Sequence, residues 1–123
     1  MAEARAELNN YRQSPRKVRT VADAVRGKRV EDALVTLSFI PKRSALPLEK
    51  LLNSALANAK NLALSENLVV KELRVDSGPT LYRRRPRSRG MANPIRKRTS
   101  HVTVVLAEQA PKKEKKEKAQ AKK

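Results

Sequence analysis

The sequence contains no cysteine and no tryptophan, and it has only three glycines in 123 residues. Without cysteine there are neither disulfide bonds nor thiolate metal sites, which suits a reducing cytosolic setting. With so few glycines, no glycine-rich phosphate-binding loop is present. No apolar run approaches the roughly 20 residues that span a bilayer. The acid-bearing N-terminus also lacks the apolar segment of a secretory signal. We therefore expect no membrane partner, and we expect the mature chain to begin here.

Aromatic residues are almost as scarce, since Tyr11, Phe39 and Tyr82 are the whole set. Sheet-based readers of single-stranded nucleic acid stack bases on platforms of several aromatic side chains. This chain has no such platform. Any nucleic acid that it binds is therefore expected to be recognised through phosphate, groove and shape.

Residues for catalysis or metal binding are also lacking. His101 is the one histidine, whereas a metal site needs several ligands and a catalytic triad needs a partner nucleophile. Glu31 and Asp32 are adjacent at a predicted helix start, where they complement the helix dipole. We predict no enzyme, no cofactor, no metal site and no small-molecule substrate. His101 is interpreted as a polar contact at a sheet edge or as an RNA contact.

Positive charge is abundant and unevenly placed. The formal net charge is +17, and residues 82–98, here termed the basic segment, hold eight cations. No acidic residue lies between Asp76 and Glu108. Clustered cations repel one another unless an anion sits among them, and arginine suits bidentate phosphate contacts. The sequence therefore predicts a polyanion-binding segment whose cations are Arg83, Arg84, Arg85, Arg87, Arg89, Arg96, Lys97 and Arg98.

Positive charge is also concentrated at the C-terminal end of the chain. Residues 111–123 contain seven lysines and two glutamates, whereas residues 1–81 and 99–110 together hold 14 basic and 10 acidic residues. The low-complexity, charged composition predicts a disordered lysine-rich tail over 110–123. We expect one domain over residues 1–109.

Hydrophobic periodicity predicts three helices, over 15–26, 30–40 and about 44–64. Ser14, followed by proline, is predicted to cap the first helix through its side chain, and Ser44 is predicted to cap the third. Pro47 then falls in the first turn, where backbone N–H groups are unpaired anyway.

Alternating patterns predict strands over 3–11, 68–76 and 101–108. In 68–76 the alternation places Val69 and Lys71 on the same face as Leu73 and Val75, and the last two favour burial of that face. The strands flanking the basic segment are expected to pair antiparallel and to continue into a hairpin arm, about residues 76–104, with its bend near Gly90. The predicted fold class is α+β: three helices packed on a small, about three-stranded antiparallel sheet, with a long protruding basic β-hairpin.

Four stretches, in this order, resemble a known family: SPRKVRTVADAVRGKRVEDAL, LNSALANAKN, VDSGPTLYRRRPRSRG and KRTSHVTVVLAE. They are similar to bacterial large-subunit ribosomal protein twenty-two, with a resemblance that covers about residues 5–108. The most specific piece runs from Arg87 through Gly90 to His101 and on into the last strand.

The resemblance implies a structural component of the cytoplasmic large ribosomal subunit that binds 23S ribosomal RNA and supports early subunit assembly. It implies a globular body near the polypeptide exit and a hairpin that lines the tunnel wall. The implied neighbours are other large-subunit proteins, including ribosomal protein four near the constriction, and the nascent peptide.

By position, the resemblance assigns RNA contacts to the eight cations of the basic segment. Arg16, Lys17 and Arg19 match the family's basic first helix. We also expect RNA contacts at Arg12, just before that helix, and at His101. Four residues are expected at the tunnel-facing tip: Ser88, Gly90, Met91 and Ala92. Met91 departs from the family, which usually has a basic or polar residue there. Pro47 also departs, since the family usually starts that helix earlier.

Two other functions are compatible with the same charge. A free nucleic-acid chaperone or DNA-binding protein would use the basic segment on many nucleic acids. A cationic membrane-surface module would need its charge along an amphipathic helix. Because prolines interrupt the densest cluster, the membrane hypothesis ranks last.

Overall fold

The computed structural model describes residues 2–109, so the predicted tail over 110–123 lies outside the described residues. Within residues 2–109 the chain forms three α-helices, five β-strands and one short 3-10 turn. The α+β class predicted from the sequence is confirmed. In chain order the elements are β1 (Glu3–Tyr11), α1 (Pro15–Val25), α2 (Val30–Phe39), α3 (Ala45–Asn61), β2 (Leu68–Ser77), β3 (Leu81–Pro86), the 3-10 turn (Ser88–Gly90), β4 (Ala92–Lys97) and β5 (Ser100–Glu108).

Strand β5 lies at the centre of a three-stranded antiparallel sheet with the order β1-β5-β2. Val102, Val104 and Leu106 of β5 are fully buried. They lie on the face of the sheet against which α1 and α3 pack. Burying such side chains contributes about 1.5–3 kcal/mol each relative to leaving them exposed. The central strand therefore anchors the core, and the predicted pairing of the strands at 68–76 and 101–108 is confirmed.

Strand β2 changes its buried face part-way along. Leu68 and Val70 are buried in its first half, and Leu73 and Val75 in its second half. The register against β5 shifts between Val70 and Glu72, so one extra residue reverses the alternation at that point. The regular alternation expected over 68–76 is therefore broken by a β-bulge, and Val69 and Lys71 do not share the buried face of Leu73 and Val75.

The helices lie close to their predicted ranges, but their N-termini are held differently. Neither Ser14 nor Ser44 makes a side-chain capping hydrogen bond, so both predicted caps are wrong. The Ser14 backbone carbonyl instead accepts the N–H groups of Lys17 and Val18. Ser44 has helical backbone angles (φ −76°, ψ −10°) rather than the extended ones of a capping residue. Pro47 falls in the first turn of α3, as expected.

The Ser44 hydroxyl is buried without a hydrogen-bond partner among the described residues. An unsatisfied buried polar atom destabilises a fold, whereas a capping hydroxyl stabilises it by about 1 kcal/mol.

We predict that Ser44→Ala leaves the free energy of unfolding unchanged or raises it by up to about 1 kcal/mol, because it removes an unsatisfied hydroxyl. Urea denaturation of the two proteins measures the difference. Leu52→Ala supplies the scale: Leu52 is fully buried in the same helix, and its truncation should cost about 2–5 kcal/mol. A loss near 1 kcal/mol for Ser44→Ala would mean that the hydroxyl does cap α3.

Candidate nucleic-acid interface

Strands β3 and β4 form a separate two-stranded antiparallel ladder that carries most of the basic segment. Its register runs from the pair Leu81–Lys97 at the base to the pair Pro86–Ala92 near the tip. Residues paired directly across the strands share a face of the ladder. One face therefore carries Arg83, Arg85 and Lys97, and the other carries Arg84 and Arg96.

The chain reverses direction between Arg87 and Met91. The N–H of Arg87 donates to the Met91 carbonyl at 2.7 Å, and Arg89 and Gly90 both have left-handed backbone angles (φ 60° and 70°). Glycine adopts this conformation without steric cost, whereas an arginine there is uncommon. The residues predicted for the tip, Ser88, Gly90, Met91 and Ala92, are all exposed at this turn.

No side chain between residues 81 and 98 is buried, and only Leu81 and Ile95 are half-buried. The ladder is thus exposed on both of its faces. An isolated two-stranded hairpin is marginally stable at best in water. Its backbone pairing therefore needs either the support of the body at its base or a partner around it.

The base of the hairpin arm is tied to the body by a compact set of hydrogen bonds. The N–H of Gly78 donates to the Thr99 carbonyl at 2.9 Å, and the Thr99 hydroxyl donates to the Pro79 carbonyl at 2.6 Å. One residue on, the buried Ser100 hydroxyl donates to the Gln13 carbonyl at 2.6 Å. These contacts fix the arm against the loop between β1 and α1.

A cleft of about 450 Å³ lies between this loop and the base of the arm. Its walls come from the β1–α1 loop, α1, the α2–α3 loop and the base of the arm. We term it the basic cleft because six of its seven lining residues are cations and none is an acid. It is lined by Arg12, Ser14, Lys17, Arg43, Arg96, Lys97 and Arg98.

The ion pairs of the described residues lie elsewhere, mostly on the face of the sheet opposite the helices. There Lys71 pairs with Glu3, and its ammonium group, through a hydrogen bond and its charge, holds the pKa of Glu3 below its usual range. None of the six cleft cations forms an ion pair within residues 2–109. Four pairs neutralise cations of the sheet: Lys71–Glu3, Arg5–Glu7, Arg74–Glu72 and Arg74–Asp76.

Arg43 belongs to the cleft although sequence reasoning did not select it. It lies in the α2–α3 loop, far in sequence from the hairpin arm. Burial raises the pKa of the Tyr11 phenol, and the charge of the nearby Arg43 guanidinium acts in the opposite direction. The available signal was the basic pair Lys42-Arg43 directly after Pro41 in an exposed loop.

The cations of α1 divide into two groups. Lys17 reaches the basic cleft, and Arg16 is exposed on the helix surface. Arg19 turns to the outer edge of β2, where its Nε and Nη2 donate to the Val75 carbonyl at 3.2 and 3.0 Å. Arg26 makes the same contact with the Leu73 carbonyl, at 3.1 and 2.8 Å. These two arginines satisfy carbonyls of an edge strand, which would otherwise be open to another chain.

His101 takes part in the sheet. Its Nδ1 accepts the backbone N–H of Asn10 at 3.1 Å, and its side chain is half-buried. Asn10 has a left-handed backbone (φ 56°) where the pairing of β1 with β5 shifts its register. The imidazole therefore supports an irregularity of β1.

The described residues offer little for other kinds of chemistry. Within residues 2–109, no three histidine or acidic side chains come together as a metal site, and no helix has the length and apolarity to cross a bilayer. Unneutralised guanidinium and ammonium groups around a polar cleft are suited to phosphate oxygens.

Comparison with known proteins decides the family. The family model for ribosomal protein L22p/L17e matches residues 6–107. The chain belongs to this family. Over 110 residues it is 54% identical to the large ribosomal subunit protein uL22 of Desulfitobacterium hafniense (strain DSM 10664 / DCB-2), which covers 88% of this chain and 96% of that protein. It is 51% identical, with the same coverage, to the large ribosomal subunit protein uL22 of Streptococcus pyogenes serotype M6.

As an L22p/L17e protein, the chain is a structural protein of the large ribosomal subunit and not an enzyme. In bacteria that subunit is cytoplasmic. The family match spans the body and the hairpin arm together, so the basic cleft lies wholly within it.

Gly78, at the base of the arm, leaves no room for a side chain. A Cβ added there would lie 2.4 Å from the Thr99 hydroxyl oxygen. We predict that Gly78→Ala lowers the free energy of unfolding by about 1–3 kcal/mol, because the buried Thr99 must move. Without that clash, alanine should stabilise the chain slightly by restricting its unfolded state.

Urea denaturation measures this effect, and a double-mutant cycle identifies its cause. In a Thr99→Ala background the cost of Gly78→Ala should shrink, because the colliding hydroxyl is gone. An equal cost in both backgrounds would contradict the assignment to Thr99.

Proposed function

We propose that the protein binds 23S ribosomal RNA through the basic cleft and the basic segment of the hairpin arm. The observation that supports this proposal is that cations of the body and cations of the arm line one cleft, which contains no acidic side chain. Phosphate is the anion that such a group fits best in a ribosomal protein. Phosphate contacts fix the position and orientation of a protein on the nucleic acid, as a structural component of a ribosomal subunit requires.

A single RNA segment in the basic cleft would contact α1, the α2–α3 loop and the base of the arm at once. It would thereby hold the body and the arm in one relative orientation. This supports a role early in subunit assembly, in which the protein joins RNA segments that must later stay together. His101 contributes indirectly, through the strand pairing at the base of the cleft.

The arm itself is proposed to enter a narrow crevice of folded RNA. Two strands are about 5 Å apart, and six residues extend about 20 Å, so the ladder is slender. Its two exposed faces carry cations that would contact RNA along its length. In this proposal the body lies near the polypeptide exit, and the arm lines the tunnel wall beside ribosomal protein four. The exposed tip, Ser88 to Ala92, then faces the nascent peptide.

We predict that Arg96→Gln weakens binding to 23S ribosomal RNA transcribed in vitro. It should also reduce the slope of log K against log salt concentration by about 1, because one phosphate contact is lost. Lys17→Gln and Arg43→Gln should behave alike, since both residues line the same cleft. Filter binding between about 50 and 200 mM salt measures affinity and slope together.

Arg5→Gln is the matched control, because Arg5 is paired with Glu7 on the sheet and should leave the slope unchanged. Equal losses for Arg5→Gln and Arg96→Gln would mean that only net charge matters. Comparable affinity for duplex DNA and unrelated RNA would favour a free chaperone or DNA-binding protein instead.

A further inference from the structure

We propose that Tyr82 stacks on an unpaired RNA base whose phosphate is held at the basic cleft. This inference rests on the proposed RNA binding and names what the site recognises: a nucleotide with an accessible base, in addition to backbone phosphates. It gives a role to an aromatic ring that the fold leaves unused.

The exposure of Tyr82 is the first observation. Its side chain is 63% exposed on a ladder that buries none of its residues. Tyr11, by contrast, is half-buried, and its hydroxyl donates to the Gln13 side chain at 2.9 Å. Tyr82 therefore does not serve the core, and its ring is accessible to a ligand.

The position of Tyr82 is the second observation. The register of the ladder pairs Tyr82 directly with Arg96, so the two side chains share a face, with Cβ atoms about 5 Å apart. Arg96 lines the basic cleft. Arg84 lies on the same face of the ladder, two residues along, at a distance of about 7 Å. The ring thus has a cleft cation beside it and a second cation further along the arm.

An aromatic face next to a group of cations is the arrangement that binds single-stranded nucleic acid, since bases stack on the ring while the cations follow the backbone. One tyrosine is not the multi-residue platform of a sheet-based reader. It provides one stacking position, which is enough to select an unpaired base over a base enclosed in a duplex.

The first test compares Tyr82→Leu and Tyr82→Phe in the full chain, with 23S ribosomal RNA as the probe. Tyr82→Leu should lower the affinity at least about fivefold, the effect of losing one stacked base. Tyr82→Phe should bind as the natural protein does, because it keeps the ring. Neither variant should change the salt slope, because neither removes a charge.

Phe39→Leu is the matched control. Phe39 is an exposed aromatic residue (81%) on α2, outside the cleft, so its replacement should leave the affinity unchanged.

The second test measures the fluorescence of the Tyr82 ring directly. The chain has no tryptophan and two tyrosines, so Tyr11→Phe leaves Tyr82 as the one emitting residue. Stacking should quench its fluorescence on addition of 23S ribosomal RNA, and a fully paired RNA duplex should not quench it.

Two results overturn the proposal: an unchanged affinity of Tyr82→Leu, or unquenched Tyr82 emission when the RNA is bound. If Arg96→Gln weakens binding while Tyr82→Leu does not, the RNA interface stands and the stacking contact is wrong. If Arg96→Gln has no effect either, the proposed function itself fails.

Discussion

Mutual repulsion among unneutralised cations is the constraint on which this molecule depends. Within residues 2–109 every ion pair involves a cation of the sheet or of a helix end, and no acid lines the basic cleft or pairs with the basic segment. Charges gathered in this way are stable only beside an external anion. The buried apolar residues all lie in the small body, and the arm has no core of its own. In the proposed function, RNA supplies the opposite charge.

The body holds these cations in fixed positions relative to one another. Strand β5 is buried at the centre of the sheet and follows the base of the arm in the chain, so the arm is attached to a fully buried part of the core. Gly78 and Thr99 close that base, and Ser100 fastens it to the loop that carries Arg12. Arg19, on the same helix as Lys17, secures the edge of β2. The cations Lys17 and Arg19 of one short helix thus have different roles, since Lys17 lines the basic cleft and Arg19 bonds to the edge of the sheet.

The elements and the charge pattern were predictable from the sequence because periodicity and composition are local properties. The pairing of β2 with β5, the α+β class and the basic segment followed from them. The bulge at Lys71 was not predictable, because a single inserted residue leaves the composition of a strand unchanged and reverses its faces. The caps failed because serine at a helix start can satisfy backbone groups through its own carbonyl, as Ser14 does. Arg43 was not predicted as part of the site, because only the tertiary fold brings its loop to the arm.

Crosslinking in intact cells tests directly whether the body and the arm bind one RNA segment between them. Ribosomes are irradiated, the protein is digested, and the RNA attached to peptides containing Lys17 and to peptides containing Arg96 is sequenced. Both peptides should carry neighbouring nucleotides of the same segment of 23S ribosomal RNA, because both residues line one cleft of about 450 Å³. Attachment to unrelated segments, or to a scatter of messenger RNA and DNA, would contradict it.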